Sequence, residues 1–306
     1  MTAVQDAPTG GERAAQPTIG IVGLGLIGGS FARAYAAAGA RVIACDTDED
    51  TMDAAMIETV EAVLDDEEIP ACDLIILAAY PDACIEWLEE HAEALGAASD
   101  TVRGTGPVVI DTAGVKAAVC ARAFELAREH GFAFVGAHPM AGTEHSGFAH
   151  ARANLFQGAP MVLVPPVLDD TGRLLLLDRV HTLLAPVGFG TFSVTTPEEH
   201  DEVIAYTSQL AHVVSNAYVK SPTAREHHGF SAGSYRDLTR VAHLNPTMWA
   251  ELMCDDAENL SREIGRIIDA LSAYRDALDA GDRERLRALL AEGDRIKRAL
   301  DDERDS

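Results

Sequence analysis

The stretch TIGIVGLGLIGGS, Thr18 to Ser30, decides the fold. It begins as an apolar run of the kind a strand buried on both faces needs. It then supplies Gly23, Gly25 and Gly28 in the spacing G-x-G-x-x-G. Alone that spacing is a weak signal. Here it follows a strand and opens a helix, and Asp46 closes the next apolar run, RVIACD, 21 residues beyond Gly25. The first glycine permits a tight turn, the second lets the backbone approach a pyrophosphate, and the third lets helix and strand pack closely. The helix start, with Leu26 and Ile27, directs amides and a positive dipole end at the phosphates. Asp46 is placed to accept hydrogen bonds from an adenosine ribose diol. Its carboxylate repels a 2′-phosphate and Thr47-Asp48 brings no arginine, so the expected cofactor is NAD rather than NADP. An S-adenosylmethionine site and a glycine turn made only for packing are the rival readings.

Outward from this unit the rhythm repeats. CDLIILAAY, GPVVIDT, FAFVGAHP and APMVLVPP are further apolar runs. KAAVCARAFELAREHG has helical spacing and closes on Gly131, at a C-cap position. One more strand, GFGTFSV, is expected after the helical LLLLDRVHTLLAP. This alternation predicts a doubly wound, Rossmann-type α/β domain of parallel strands over residues 17–194. Thr112, just past one of these strands, is read as a further cofactor contact. After Thr195 the strand signals fade. TPEEHDEVIAYTSQLAHVVSNAYV opens like a helix, with threonine, proline and two glutamates. Asn245-Pro246 starts another helix. Leu260, Ile264, Ile267, Leu271, Tyr274 and Leu278 then make a long apolar stripe. Gly281-Asp282 separates it from a last helix carrying Leu286, Leu289, Ile296 and Leu300. The expected second domain, 195–306, is all-helical, and its stripes suit either a second subunit or packing within one chain. Residues 1–16 read as a flexible tail.

Of the 306 residues, 49 are acidic and 24 are lysine or arginine, a formal net charge of −25. That balance argues against nucleic acid or an anionic membrane surface as partner, since both demand clustered cations. A small anionic substrate in a local arginine pocket remains compatible with it. No apolar run is long enough to cross a bilayer, and the N-terminus lacks the basic, greasy start of a signal peptide. A cytoplasmic location is therefore expected. The five cysteines form no C-x-x-C pair and read as buried free thiols, not a thiolate zinc site.

Proton-handling side chains gather in GAHPMAGTEHSGF, Gly136 to Phe148. With a nicotinamide cofactor the reaction class is hydride transfer, and the substrate must give up a proton as well. His138 follows FAFVGA and is expected at a strand's carboxyl end, the edge where open α/β sheets bind ligands. A neutral imidazole suits the work of a base, because its ordinary pKa of about 6.5 lies near working pH. A histidine that merely bonds the loop backbone is the alternative. His138, Glu144, His145 and His150 match neither H-E-x-x-H nor another compact ligand set, so no metal is expected. In FSAGSYRDLTRVAHLNPTMW, a helical reading sets Arg236 and Arg240 four apart on one face, with Asp237 beside them. Either arginine is a candidate anchor for a substrate carboxylate, with an Arg–Asp surface pair as the alternative.

GLGLIGGS with Asp46, DTAGVK, HPMAGTEHSG, LFQGAPMVLVP, SQLAH and YRDLTRVAHLNPTMW occur in that order. Together they resemble the prephenate/arogenate dehydrogenase family over essentially all of residues 17–300. The resemblance implies an NAD-dependent oxidative decarboxylation in tyrosine biosynthesis, from prephenate to 4-hydroxyphenylpyruvate or from arogenate to tyrosine. Hydride leaves C4 of a cyclohexadienol ring, carbon dioxide leaves C1, and the ring becomes aromatic. On the family's pattern His138 accepts the C4 hydroxyl proton and Arg240 binds the ring carboxylate. His212 meets the substrate's side-chain end, and Glu144 is a gating or orienting acid. Gly233 and Trp249 match pocket-lining positions, Asp237 and Arg236 belong to the arginine region, and a homodimer through the helical domain is implied. The chain departs from the pattern at Gly114, where many members carry a serine that bonds the substrate hydroxyl and the catalytic histidine. Either Thr112, a water or an amide then substitutes, or His138 works less tightly held. Gln209 and Ala211 stand where a histidine and a proline are often found. No regulatory extension or fused chorismate mutase domain is expected. Two rival readings remain. A β-hydroxyacid-type dehydrogenase would place a catalytic lysine on the first long helix of the second domain, where this chain has His212 and, late, Lys220. A non-catalytic NAD-binding sensor would have no use for His138 or Arg240.

Overall fold

The computed structural model describes residues 16–100, 104–143, 145–226, 229–230 and 233–304. The expected tail, apart from Gln16, lies outside the described residues. Eight strands form one sheet: β1 (Thr18–Val22), β2 (Arg41–Cys45), β3 (Ala62–Val63), β4 (Leu74–Leu77), β5 (Val108–Asp111), β6 (Ala133–Pro139), β7 (Pro160–Val164) and β8 (Thr191–Val194). Their order is β3-β2-β1-β4-β5-β6-β7-β8. The first six are parallel and follow the doubly wound order, which reverses between β1 and β4.

β7 corrects the all-parallel expectation. It pairs antiparallel with β6, His138 opposite Val162, while β8 returns parallel to β7. A parallel neighbour needs a crossover that carries the chain back to the far edge. Between Pro139 and Pro160 the only helical element among the described residues is the short turn Phe148–His150. The chain therefore doubles back. Met161, Leu163 and Val164 are buried all the same, so the run has the composition of a parallel strand.

Period-two alternation sorts the strand residues into two cores. Ile19, Ile21, Leu74, Ile76, Val108 and Ile110 face one cluster. There they meet Phe31 and Tyr35 of α1 (Leu26–Ala37), Ala55 of α2 (Glu49–Glu58), and Val180 and Leu184 of the helix Asp170–Leu184. Ile75, Leu77, Val109 and Phe134 face the other, against Leu88 of α3 (Pro81–Ala98) and Val119 and Ala123 of α4 (Ala117–His130). Gly131 ends α4 at φ +80°, the left-handed conformation its position called for. The helix Asp170–Leu184 is α5.

The chain divides into two compact units. The first comprises the described residues up to Ile204 together with His243–Asp255, and so holds the sheet, α6 (Pro197–Ile204) and α9 (Pro246–Asp255). The second, Ala205–Ala242 with Asp256 onward, is wholly helical: α7 (Ala211–Tyr218), α8 (Gly233–Thr239), α10 (Ala257–Asp279) and α11 (Arg283–Arg304). The expected helix over TPEEHDEV…AYV is α6 followed by α7, with a π-helical turn, Ala205–Leu210, between them. Such an insertion rotates everything after it around the helix axis. Among the described residues no helix is long and apolar enough to cross a membrane.

Candidate active site

The glycine loop lies between the carboxyl end of β1 and the start of α1, where the strand order reverses. Two of its glycines are required by the chain's own packing. Gly23 has φ +85°, and an added Cβ would come within 2.8 Å of the Ala78 carbonyl oxygen. A Cβ on Gly28 would stand 1.8 Å from the Gly23 oxygen. Gly25, the N-cap of α1, is different: a Cβ there would meet nothing within 4 Å. Its bareness leaves open space at a helix N-terminus, beside the first-turn residues Leu26 and Ile27, which is what a dinucleotide pyrophosphate needs. Asp46, one residue past β2, accepts the Leu24 amide on one carboxylate oxygen and the Asp48 amide on the other. It is thereby held against the loop, with lone pairs remaining for a ribose diol. The Thr112 hydroxyl donates to the Leu77 carbonyl (3.2 Å), so its hydrogen is already committed to the end of β4. Beside it, a Cβ at Gly114 would make ordinary contact with Leu252, 3.4 Å away.

His138 is the penultimate residue of β6. Around it the sequence builds a buried polar web. Lys116 and Asp111, both without solvent exposure, form an ion pair. The Lys116 ammonium also donates to the Ala137 carbonyl (2.8 Å), and Asp111 accepts the Ala137 amide (3.1 Å). The peptide entering His138 is thus gripped from both sides. The imidazole Nδ1 lies 2.9 Å from Nε2 of His200, whose own Nδ1 lies 2.7 Å from Oδ1 of Asp201. The Asp201 oxygens accept the Lys116 and Ala117 amides (2.7 and 2.8 Å) at the start of α4. His138 keeps a partly open face, yet it sits deep enough that loss of hydration penalises its charged form. Burial, then the Lys116 charge, then His200 hold its pKa well below the usual histidine value. The group is therefore a neutral imidazole at working pH.

In the second unit, the expected Arg236–Arg240 face is not one helix. α8 stops at Thr239, and Arg240 opens a short 3-10 turn in which Val241 departs from helical geometry (φ −95°, ψ 15°). Three α7 side chains bond carbonyls in that turn and just before it. His212 Nδ1 donates to Val241 (2.9 Å), Ser215 Oγ to Leu238 (2.7 Å) and Asn216 Nδ2 to Ala242 (3.2 Å). Arg236, Asp237 and Arg240 are exposed, and Gly233 begins α8 with open space around it. Trp249 is half-buried on α9, which Asn245 caps through the Thr247 and Met248 amides. Glu144 lies outside the described residues. His145 stacks on His150 with ring centroids 4.7 Å apart.

Residues 31–188 match the prephenate dehydrogenase nucleotide-binding domain, and residues 196–292 match the prephenate dehydrogenase dimerization domain. The chain is 30% identical to a cyclohexadienyl dehydrogenase of Zymomonas mobilis, over 94% of this chain and 97% of that one. A crystal structure of prephenate dehydrogenase from A. aeolicus, in complex with hydroxyphenyl propionate and NAD+, aligns with a TM-score of 0.73 and 26% identity, covering 94% of this chain and 99% of the other. Synechocystis arogenate dehydrogenase aligns with a TM-score of 0.70 and 27% identity, over 92% and 99%. The chain belongs to the prephenate dehydrogenase family.

Sequence reasoning about this prephenate dehydrogenase family member singled out His138 but missed His200, Asp201 and Lys116. His200 and Asp201 sit in a stretch whose threonine, proline and two glutamates read as a helix start. The adjacent His-Asp pair was the available signal, but nothing in its spacing from His138, 62 residues earlier, announces contact. Lys116 closes the quoted motif DTAGVK, and in so acidic a chain one lysine buried beside Asp111 was the hint left unread.

Proposed function

We infer that this chain is an NAD-dependent prephenate dehydrogenase, converting prephenate to 4-hydroxyphenylpyruvate on the route to tyrosine, in the cytoplasm and as a homodimer through its helical part. The observation that carries this reading is a neutral, firmly held imidazole at the ligand-binding edge of a doubly wound sheet whose glycine loop is open at Gly25. NAD supplies the hydride acceptor when bound. Gly23, Gly25, Leu26, Ile27 and Gly28 form its pyrophosphate cradle, Asp46 receives the adenosine ribose, and Thr112 contributes just past β5. His138 takes the C4 hydroxyl proton as the carbonyl develops, which its low proton affinity in the resting state leaves it ready to do. Arg240 anchors the ring carboxylate, as a guanidinium suits. His212, Arg236, Asp237, Gly233 and Trp249 complete substrate binding, and Glu144 orients or gates. Aromatisation makes the overall step downhill, so these residues mainly position the substrate and manage one proton.

Arogenate is the second reading, favoured by the likeness to an arogenate dehydrogenase at nearly the same identity. One assay separates the two. NADH absorbance is followed with prephenate and arogenate in parallel, each with NAD and NADP. Prephenate with NAD should give the fastest reduction, and no reduction with either substrate would end the dehydrogenase reading.

A further inference from the structure

We propose that His200, backed by Asp201, is a positioning residue that decides which nitrogen of His138 receives the substrate proton. This rests on the reading of His138 as the base. The hydrogen-bond chain has one consistent direction. The Asp201 carboxylate only accepts, and its two oxygens already take the Lys116 and Ala117 amides at the positive end of α4. His200 Nδ1 must therefore carry a hydrogen and donate it to Asp201. In neutral His200 this leaves Nε2 as the acceptor. The neighbouring His138 Nδ1, 2.9 Å away, must then donate, and its lone pair is placed on Nε2. Substrate oxidation breaks the hydroxyl O–H bond and forms N–H at that Nε2. The resulting positive charge is shared along the chain toward Asp201, whose carboxylate offsets it.

Charged groups reach His138 from three segments, while β7 sets Val162 opposite it. Asp111 comes from β5, Lys116 from the turn before α4, and His200 and Asp201 from α6. Burial, then the Asp82 charge, then the Asp201 charge raise the pKa of Asp255 on α9. His200 and Asp201 are buried, so the inner end of the relay is shielded from water.

The test compares H138N, H200L and H200Q in steady-state turnover of prephenate with NAD, with pH profiles, NAD affinity and thermal melting for each. Leucine fills the site without a lone pair. Glutamine returns an acceptor oxygen that cannot titrate. H200L should lose about a hundredfold in kcat with KM and NAD affinity within about twofold, the size of effect a misdirected reacting group produces. H200Q should recover most of that loss, to within about tenfold of the unaltered enzyme. An H200L enzyme as fast as the unaltered one, or an H200Q no faster than H200L, overturns the proposal. If H200L melts below the assay temperature, H200Q decides alone, and a loss of well over about tenfold in its kcat overturns the proposal. A dead H138N beside a fully active H200L sinks the relay while leaving the base in place. An active H138N removes the base reading and the relay with it.

Discussion

At the scale of single residues, the enzyme's problem is to keep one imidazole neutral and pointed. Burial and the Lys116 charge lower the His138 pKa. A base works unprotonated, so kcat/KM is full above that pKa and falls as pH drops through it. The acid limb of kcat/KM should therefore lie below about 6.5, the ordinary histidine value. A limb at or above it would show that His138 is either better hydrated than its surroundings indicate or not the group that titrates. His138 was legible in the sequence because strand chemistry places it: a buried apolar run ends, and the first polar side chain stands at the sheet edge. His200 was not, because contact between β6 and α6 is a product of tertiary packing and leaves no trace in local spacing. Gly114 marks the limit differently. Its bare backbone announced a missing hydroxyl, and only the fold shows that Thr112 spends its own hydroxyl hydrogen on Leu77 while His138 is held through His200.

At the scale of elements, the three loop glycines separate into different jobs, and substitutions should sort them. Gly28→Ala forces a methyl to within 1.8 Å of a backbone oxygen, which nothing short of shifting α1 relieves. It should lower the melting temperature and NAD affinity together, with a stability loss of about 1–3 kcal/mol typical of overpacking. Gly25→Ala puts its methyl into open space at an ordinary backbone conformation (φ −64°, ψ −156°). The melting temperature should hold while NAD affinity falls at least about tenfold, the cost of keeping a backbone from its pyrophosphate. Thermal melting beside NAD titration checks both, and equal damage from the two variants would mean that Gly25 too serves only packing. The Arg240 turn gives a second element-scale expectation. Ser215 is buried and donates to the Leu238 carbonyl just before that turn. Ser215→Ala removes one buried hydrogen bond, about 1 kcal/mol, which corresponds to about fivefold in an equilibrium. Prephenate KM should rise by about that factor, with kcat and the KM for NAD unchanged. A shift confined to the NAD KM would detach the turn from the substrate. The helical half was readable as helices, since propensity and capping act within a few residues. The π-turn Ala205–Leu210 and the antiparallel β7 were not, because both depend on how far the chain must travel to reach its next partner.

At the scale of the molecule, the two rhythms in the sequence forecast two kinds of architecture, and the structure has both. The contact boundary, however, falls within the α6–α7 run, and α9 returns to the first unit. Apolar spacing tells which face of a helix is covered but not by what, so neither feature could be read in advance. The same uncertainty applied to the C-terminal stripes, and here exposure is informative. Leu260 and Ala277 of α10 are buried within the chain, whereas Ile268, Leu271 and Leu278 are 54, 60 and 62% exposed. On α11, Leu290, Ile296 and Leu300 are at least 55% exposed. Large apolar side chains spaced along two long helices are costly to leave in water, and a helical part matching a dimerization domain offers a use for them. The homodimer should therefore run in sedimentation at twice the 32.6 kDa chain mass. Leu271 and Leu278 lie seven residues apart, two helical turns on one face. Replacing both by aspartate places two charges on that face in a chain already at −25. Burying an unpaired carboxylate costs several kcal/mol, so the double variant should sediment as a monomer at micromolar concentration while melting close to the parent. A double variant that remains dimeric would move the interface off this face of α10.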